Sequence, residues 1–243
     1  MSVLLTTEGD GIRRTFAQGL PVCDGPLTVI YWTYIESFGS NWASYWSIGP
    51  NPFSGADYII SATEITTNKW ALGLDGFDFL GPVPSTGQWY AQAVQRKFVT
   101  DHYEQTFYYD LPTVANKIEK LDTEQASDIT LGATHELSFG RNPWQVAEWA
   151  NARFAGIKIF EQYLTEAQII AEIARPELVN GGLTPWAIVP APTIDDVTDI
   201  SGNGRHFSVI GTGLTTAADP PFAEGAKMLF QSGVMTPVAP GYL

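Results

Sequence analysis

The chain has 243 residues, 44% of them hydrophobic and 13% aromatic, with 23 Gly and 16 Pro spread along it, which suits many short strands joined by turns in one or two domains. A formal charge of −13 excludes the basic footprint that nucleic acid or an anionic membrane surface requires of a partner. The single cysteine, Cys23, excludes an internal disulfide, a zinc ribbon or a redox pair, and with no His near it in sequence it reads as a small buried apolar residue.

Residues 1–16 hold no long apolar run, because Val3, Leu4 and Leu5 are followed at once by Thr-Thr-Glu-Gly-Asp, so no secretory signal is expected. No transmembrane span is expected either. Residues 3–6 and 12–16 read as short strands around the turn Glu8-Gly9-Asp10-Gly11. Residues 27–35, β-branched and aromatic, are the best strand candidate of the first half, with Trp32 as a core residue. Residues 42–46, 58–62 and 69–74 follow as strands separated by Pro- and Gly-bearing loops, the spacing of a meander.

Residues 88–100, with Trp89 as a core residue, pair with 106–111 around the loop 101–105. Residues 114–121 read as strand or loop, and 129–132 resume the sheet. Residues 133–153 read as a long, Trp-bearing connection, a length that is often functional. In residues 154–176 the reading is clearest. Ala155 to Phe160 alternates, with Ile157 and Ile159 on one face and Lys158 on the other, as a half-buried strand does. A helix then begins at Thr165, whose hydroxyl and the Gln168 side chain form a capping box, with Leu164 stapled onto Ile169. Ile169, Ile170 and Ile173 form its apolar stripe, and Pro176 ends it.

Gly156-Ile157-Lys158-Ile159-Phe160 followed by Leu164-Thr165-Glu166-Ala167-Gln168-Ile169 resembles the closing strand and short helix of laminin-G-like jelly rolls, in the concanavalin A-like lectin and glucanase superfamily. The resemblance extends to residues 27–32 as an early core strand, 87–94 as a central Trp strand and Leu131-Gly132 before the last loop. It covers roughly residues 5–175. It implies an all-β fold, a two-sheet antiparallel jelly-roll sandwich with one short helix near 165–175. The domain expected is 1–176. Residues 177–243 form a C-terminal extension that completes the sandwich or contacts a neighbour, with strands at 205–210 and 228–230. The stretch Thr198 to Phe207 resembles a turn that relatives carry near the start of the domain.

Superfamily glucanases place Glu-x-Asp-x-Glu on one strand face. The nearest approach is Glu119-Lys-Leu-Asp122-Thr-Glu124, in which Glu119 falls on the wrong face, so a solvated loop is the better reading and no enzyme is expected. His102, His135 and His206 read as surface or turn residues, and neither a serine-nucleophile elbow nor a phosphate loop is present. Asp199, Ser201 and Asn203 are the candidate metal ligands, with calcium as the ion, because they offer oxygens at alternate positions before a glycine. The competing reading is a tight turn bonding local amides, with its glycines at positive φ.

Trp42, Tyr45, Trp46 and Tyr58 about one loop, and Trp144 and Trp149 on another, are the candidate ligand-binding residues, since aromatic faces stack on sugar rings. The function expected is a non-enzymatic structural or recognition module, a bacteriophage virion protein serving as capsid decoration or tail-associated adhesion. Its expected partners are other virion proteins, surface glycans or further copies of the chain. Its expected location is the virion, otherwise the cytoplasm. The alternative is a cellular lectin or a glycan-active hydrolase of the same superfamily.

Overall fold

The computed structural model describes residues 2–22, 25–38, 42–50, 58–74, 77–99, 102–121, 131–143, 145, 147–175, 179, 181–190, 192–193 and 195–217. The strands are β1 (Ser2–Leu5), β2 (Gly11–Thr15), β3 (Leu27–Ser37), β4 (Ala43–Pro50), β5 (Ile59–Thr63), β6 (Trp70–Leu74), β7 (Phe77–Leu80) and β8 (Trp89–Val99). There follow β9 (His102–Leu111), β10 (Lys117–Leu121), β11 (His135–Phe139), β12 (Asn151–Phe160), the helix α1 (Glu166–Ile173), β13 (Ala187–Val189), β14 (Ser208–Ile210) and β15 (Thr215–Ala217). One sheet runs β10-β9-β8-β3-β12-β1-β15, with β13 beside the second half of β12; the other runs β14-β2-β11-β4-β5-β6-β7. Every pairing among the described strands is antiparallel, and the chain crosses repeatedly between the sheets, which makes a two-sheet jelly-roll sandwich with one short helix.

Alternation along β3 decides the layering. Val29, Tyr31 and Ile35 point between the sheets and join Trp46, Trp70, Phe107, Phe139 and Phe154 in the main core. Ile30 points the other way and is buried with Ala91, Ala93, Phe160 and Leu164 beneath Ile169 and Ile173 of α1. The helix therefore covers part of the outer face of the eight-stranded sheet. Its start matches its sequence: the Thr165 hydroxyl accepts from the Gln168 amide at 3.2 Å, and the Gln168 side chain accepts from the Thr165 amide at 2.8 Å. Two details differ. Ile170 is 37% exposed and stands outside the stripe, and the third buried helix residue is Glu172. Lys158, expected on an open face, is fully buried and meets Glu172 Oε2 at 2.7 Å.

Other expectations are corrected by the sheet. Residues 133–153 are not one connection, because β11 lies within them, and Leu131 and Gly132 are not in a strand. The strand His-Glu-Leu-Ser-Phe hides its alternation behind polar residues, yet Leu137 and Phe139 are fully buried and Glu136 meets Arg13 of β2 at 3.2 Å. His135 is buried as well, its Nδ1 accepting from the Gly132 amide at 2.9 Å, so it is no surface residue. The β8–β9 register pairs Val99 with His102, so the loop there is shorter than residues 101–105. Cys23, Asp122, Glu124 and residues 228–230 lie outside the described residues.

Beyond α1 the chain returns to both sheets. Ile188 pairs with Lys158, Val209 with Ile12, and Thr216 with Val3. Asp10, fully buried in the β1–β2 turn, fastens this return: Oδ1 accepts from the amides of Thr212 and Gly213 at 3.0 and 3.2 Å, and Oδ2 from those of Thr6 and Thr7 at 3.2 and 2.9 Å. Asp10→Ala leaves four amides without this acceptor and is expected to lower stability by roughly 3 kcal/mol in urea unfolding, whereas a surface carboxylate replaced likewise should cost far less. A loss under about 0.5 kcal/mol would show that other acceptors take over. Among the described residues, no helix is long and apolar enough to cross a membrane.

Candidate functional site

The antiparallel registers place four half-buried aromatic residues at one end of the sandwich. β3 leaves this end after Tyr34, β8 enters it at Trp89, β4 enters just after Trp42, and β12 enters two residues after Trp149. Trp89 of β8, Tyr34 of β3 and Arg153 of β12 are directly opposed neighbours in one row across the eight-stranded sheet. Tyr34 and Trp89 meet edge to face with centroids 5.5 Å apart, and the Arg153 guanidinium lies 4.4 Å over the Tyr34 ring. Arg153 Nε donates to Glu36 Oε1 at 2.5 Å, and beside it Asn151 Nδ2 donates to Ser37 Oγ at 2.7 Å. Trp89, Tyr34, Glu36 and Arg153 lie on the outer face, on the side away from the seven-stranded sheet.

The residues singled out from sequence are dispersed by the fold. Tyr45 and Trp46 belong to the main core at 1% and 0% exposure, so their rings are removed from any surface. Tyr45 packs edge to face on Trp70 at 5.4 Å with its hydroxyl 3.3 Å from Thr63 Oγ1, and burial pushes its phenol pKa up. The reason is that β4 is an interior strand of its sheet, paired on both edges, and a register shift between Ser44 and Trp46 lets both consecutive rings enter the core. Trp42 and Tyr58 are half-buried but lie at opposite ends of the sandwich, since Ala43 pairs with Thr63 while Ile48 pairs with Ile59. Trp149 is half-buried and bridges to Arg141, and Trp144 lies outside the described residues. Of the set, Trp42 and Trp149 thus share the end that carries Tyr34 and Trp89.

The sequence expectation sets Trp89 in the core and gives Tyr34 no role, yet Trp32, Tyr34 and Glu36 share a strand face by i, i+2 spacing, and a face that ends in Glu36 is the outer one. Trp32, too, is half-buried on that face.

Asp199, Ser201 and Asn203 lie in a tight turn closed by their own hydrogen bonds. Asp199 Oδ1 accepts from the amides of Ile188 and Ser201, both at 2.9 Å, and Oδ2 accepts from the Arg205 amide at 2.9 Å and the Ser201 hydroxyl at 2.8 Å. Asn203 Nδ2 donates to the Pro185 carbonyl at 2.9 Å, and Gly202 and Gly204 take φ of 88° and 67°. The carboxylate's acceptor positions are thus met by local donors, and among the described residues no group of three or more His, Cys, Asp or Glu is arranged to hold a metal. The turn also presents Arg205, whose guanidinium lies 4.6 Å over Trp186, with that of Arg14 at 5.5 Å from the same ring.

Burial pushes the Asp199 carboxyl upward, but its three amide donors and the Ser201 hydroxyl outweigh this and hold it below the ordinary carboxylate range. Its stabilisation is therefore complete above about pH 4, where an unfolded Asp is ionised, and is lost as pH falls through the lower folded value. Asp199→Asn is expected to lose stability against the wild type at pH 7, with the gap narrowing as pH falls below about 4 in urea titrations. A gap constant with pH would remove the carboxylate's charge from the account.

No protein-family model and no curated protein matches this sequence. Among solved structures, a Bacteroides ovatus protein proposed to bind carbohydrate is 12% identical with a TM-score of 0.61, over 90% of this chain and 60% of that one. The likeness shows the fold, a two-sheet jelly roll. This jelly roll also resembles the native heptameric SAP-like pentraxin of Limulus polyphemus, 14% identical with a TM-score of 0.44 over 70% of this chain and 79% of that one. Tailspike protein 2 of bacteriophage CBA120 is 15% identical with a TM-score of 0.42, over 60% of the jelly roll and 23% of the tailspike. The present chain thus spans about three-fifths of the Bacteroides protein's length.

Proposed function

We propose that this jelly roll is a non-enzymatic recognition module that holds a glycan against the aromatic end of its eight-stranded sheet. The observation that carries the reading is the row Trp89, Tyr34 and Arg153 on the outer face, flanked by Glu36, Ser37 and Asn151. Aromatic surface offers a pyranose ring an apolar platform, and amide, hydroxyl and guanidinium groups beside it exchange hydrogen bonds with sugar hydroxyls. That the Bacteroides protein of the same fold is proposed to bind carbohydrate supports the ligand class.

The absence of catalysis is part of the proposal. Three carboxylates of this sheet face a cation, Glu36 with Arg153 at 2.5 Å, Glu104 with Lys97 at 2.5 Å and Glu119 with Lys117 at 2.8 Å. Asp110 of β9, its carboxyl pushed up by burial, accepts from Asn116 Nδ2 at 3.3 Å, and among the described residues no pair of carboxylates is set across the aromatic row. We place the module in a bacteriophage virion, as capsid decoration or tail-associated adhesion, assembled with other virion proteins or with copies of itself. Its acidic chain with a single cysteine suits folding in a reducing cell before assembly.

Screening the purified protein on a broad glycan array, followed by calorimetric titration of the best ligand, tests the reading. Trp89→Ala and Arg153→Ala are expected to weaken binding by about tenfold or more while the melting temperature stays close to wild type. Variants that melt normally and bind as the wild type does would overturn the site. New reducing ends released from the bound glycan would overturn the non-enzymatic reading.

A further inference from the structure

The outer face of the seven-stranded sheet carries a polar cluster, three buried atoms of which lack a hydrogen-bond partner among the described residues. In β2, Gly11, Arg13 and Thr15 share a face opposite the core residue Ile12, and the register sets Ser138 of β11 against Arg13 and Glu136 against Thr15. Ser47 of β4 extends the row beyond Ser138, and Ser208 of β14 extends it beyond Arg13. Four polar residues, Ser208, Arg13, Ser138 and Ser47, thus lie side by side across four strands.

Arg141 joins them because the alternation breaks just after β11. Gly140 takes φ of 83°, and a side chain there would collide with Leu5 in the core, so Phe139 and Gly140 both face inward and Arg141 is turned outward. Its stem lies flat on Gly11, where an added Cβ would be 2.8 Å from Arg141 Cγ. The Ser47 hydroxyl donates to the Arg141 carbonyl at 2.9 Å and fixes the backbone. Glu136 then sits between two guanidiniums, Oε1 accepting from Arg13 at 3.2 Å and Oε2 3.9 Å from Arg141 Nη2.

Three buried polar atoms of this cluster have no hydrogen-bond partner among the described residues: the acceptor Glu136 Oε2, the donor Arg141 Nε, and Ser138 Oγ, which can do either. Unmet groups of this kind are costly unless something else satisfies them. The floor is buried, with the side chains of Arg141 and Glu136 at 8% and 11% exposure, while that of Arg13 at 34% leaves the rim open to solvent. Burial lowers the Arg141 pKa, and Glu136 only partly offsets this. Two guanidiniums against one carboxylate leave one positive charge in a chain whose net charge is −13. A single donor or acceptor cannot complete the set: the guanidinium and the serine call for an acceptor with negative charge, and Glu136 Oε2 calls for a hydroxyl.

We infer that Arg13, Glu136, Ser138 and Arg141 form a binding site for a small hydroxylated carboxylate, of which a uronic acid is one example. The ligand carboxylate meets the two guanidiniums, and a neighbouring ligand hydroxyl donates to Glu136 Oε2. This site lies on the sheet opposite to that bearing Trp89 and is independent of it.

Titration of the full chain with D-glucuronate, D-glucose and acetate, followed by amide and arginine Nε–H chemical shifts in NMR spectra, tests the inference. Glucuronate is expected to saturate and to move the Arg141 Nε–H resonance, with glucose and acetate each binding at least about tenfold more weakly. Ser138→Ala, a small change that should fold, and Arg141→Lys, which keeps the charge but loses Nε, are each expected to weaken glucuronate binding, while Trp89→Ala leaves it unchanged. Equal binding of glucose would remove the anionic requirement, and equal binding of acetate would remove the hydroxyl requirement; either overturns the inference. So would loss of glucuronate binding in Trp89→Ala alone, which would assign the ligand to the aromatic end, or no saturable shift at all in the folded wild type.

Discussion

A chain ending at Val179 is expected to lose cooperative folding. It would lack β13, β14 and β15, which pair with β12, β2 and β1 and so serve both sheets. Trp186, Ile188, Val189, Val197, Phe207 and Leu214 are buried in the full chain. At about 1.5–3 kcal/mol for each large apolar side chain, their loss amounts to roughly 9–18 kcal/mol. The whole stability of a domain is about 5–15 kcal/mol. The cut also strips Asp10 of two amide donors and Arg14 of the His206 carbonyl to which it donates. Calorimetry should show no unfolding transition, and dispersed NMR signals should be missing. A chain ending at Ala217 serves as the comparison that assigns the loss to these strands. A truncated protein melting within a few degrees of the full chain would sink the idea that the return strands hold the sandwich together.

Lys158→Met should be the most damaging single substitution on the helix side. All three N–H donors of Lys158 are engaged, with Glu172 Oε2 at 2.7 Å, the Glu172 carbonyl at 2.8 Å and the Arg175 carbonyl at 2.6 Å. A cation from β12 thus satisfies carbonyls at the C-terminus of α1, a helix with no basic residue in its own last turn. Removing the ammonium takes its cation from the buried Glu172 carboxylate, which costs about 3–5 kcal/mol. Urea unfolding should therefore show a loss of that size for Lys158→Met, and the double substitution Lys158→Met with Glu172→Leu should recover much of it. A single-variant loss under about 1 kcal/mol would mean that Glu172 finds other compensation.

How far the sequence reaches is seen best where a hydrogen bond closes within a few residues. The capping box of Thr165 and Gln168 and the turn built on Asp199 and Ser201 are short-range arrangements, determined by side chains that find backbone amides two or three positions away. The i, i+2 alternation of β3 and β12 is legible for the same reason, and with it the class of fold. Alternation alone does not say which face is covered, or by what. Lys158 reads as an open-face residue until α1 folds over it; Tyr45 and Trp46 read as loop aromatics until β4 is seen paired on both edges. The strand β11 escapes because its polar residues His135, Glu136 and Ser138 mask the alternation, and its strand pairing is with β2 and β4, far along the chain. The two candidate sites have the same origin. Trp89, Tyr34 and Arg153 come from three strands, and Arg13, Glu136 and Arg141 are joined by register and by the reversal at Gly140. Strand pairing between distant segments brought these groups together, and no local rule of hydrogen bonding or periodicity contains that information.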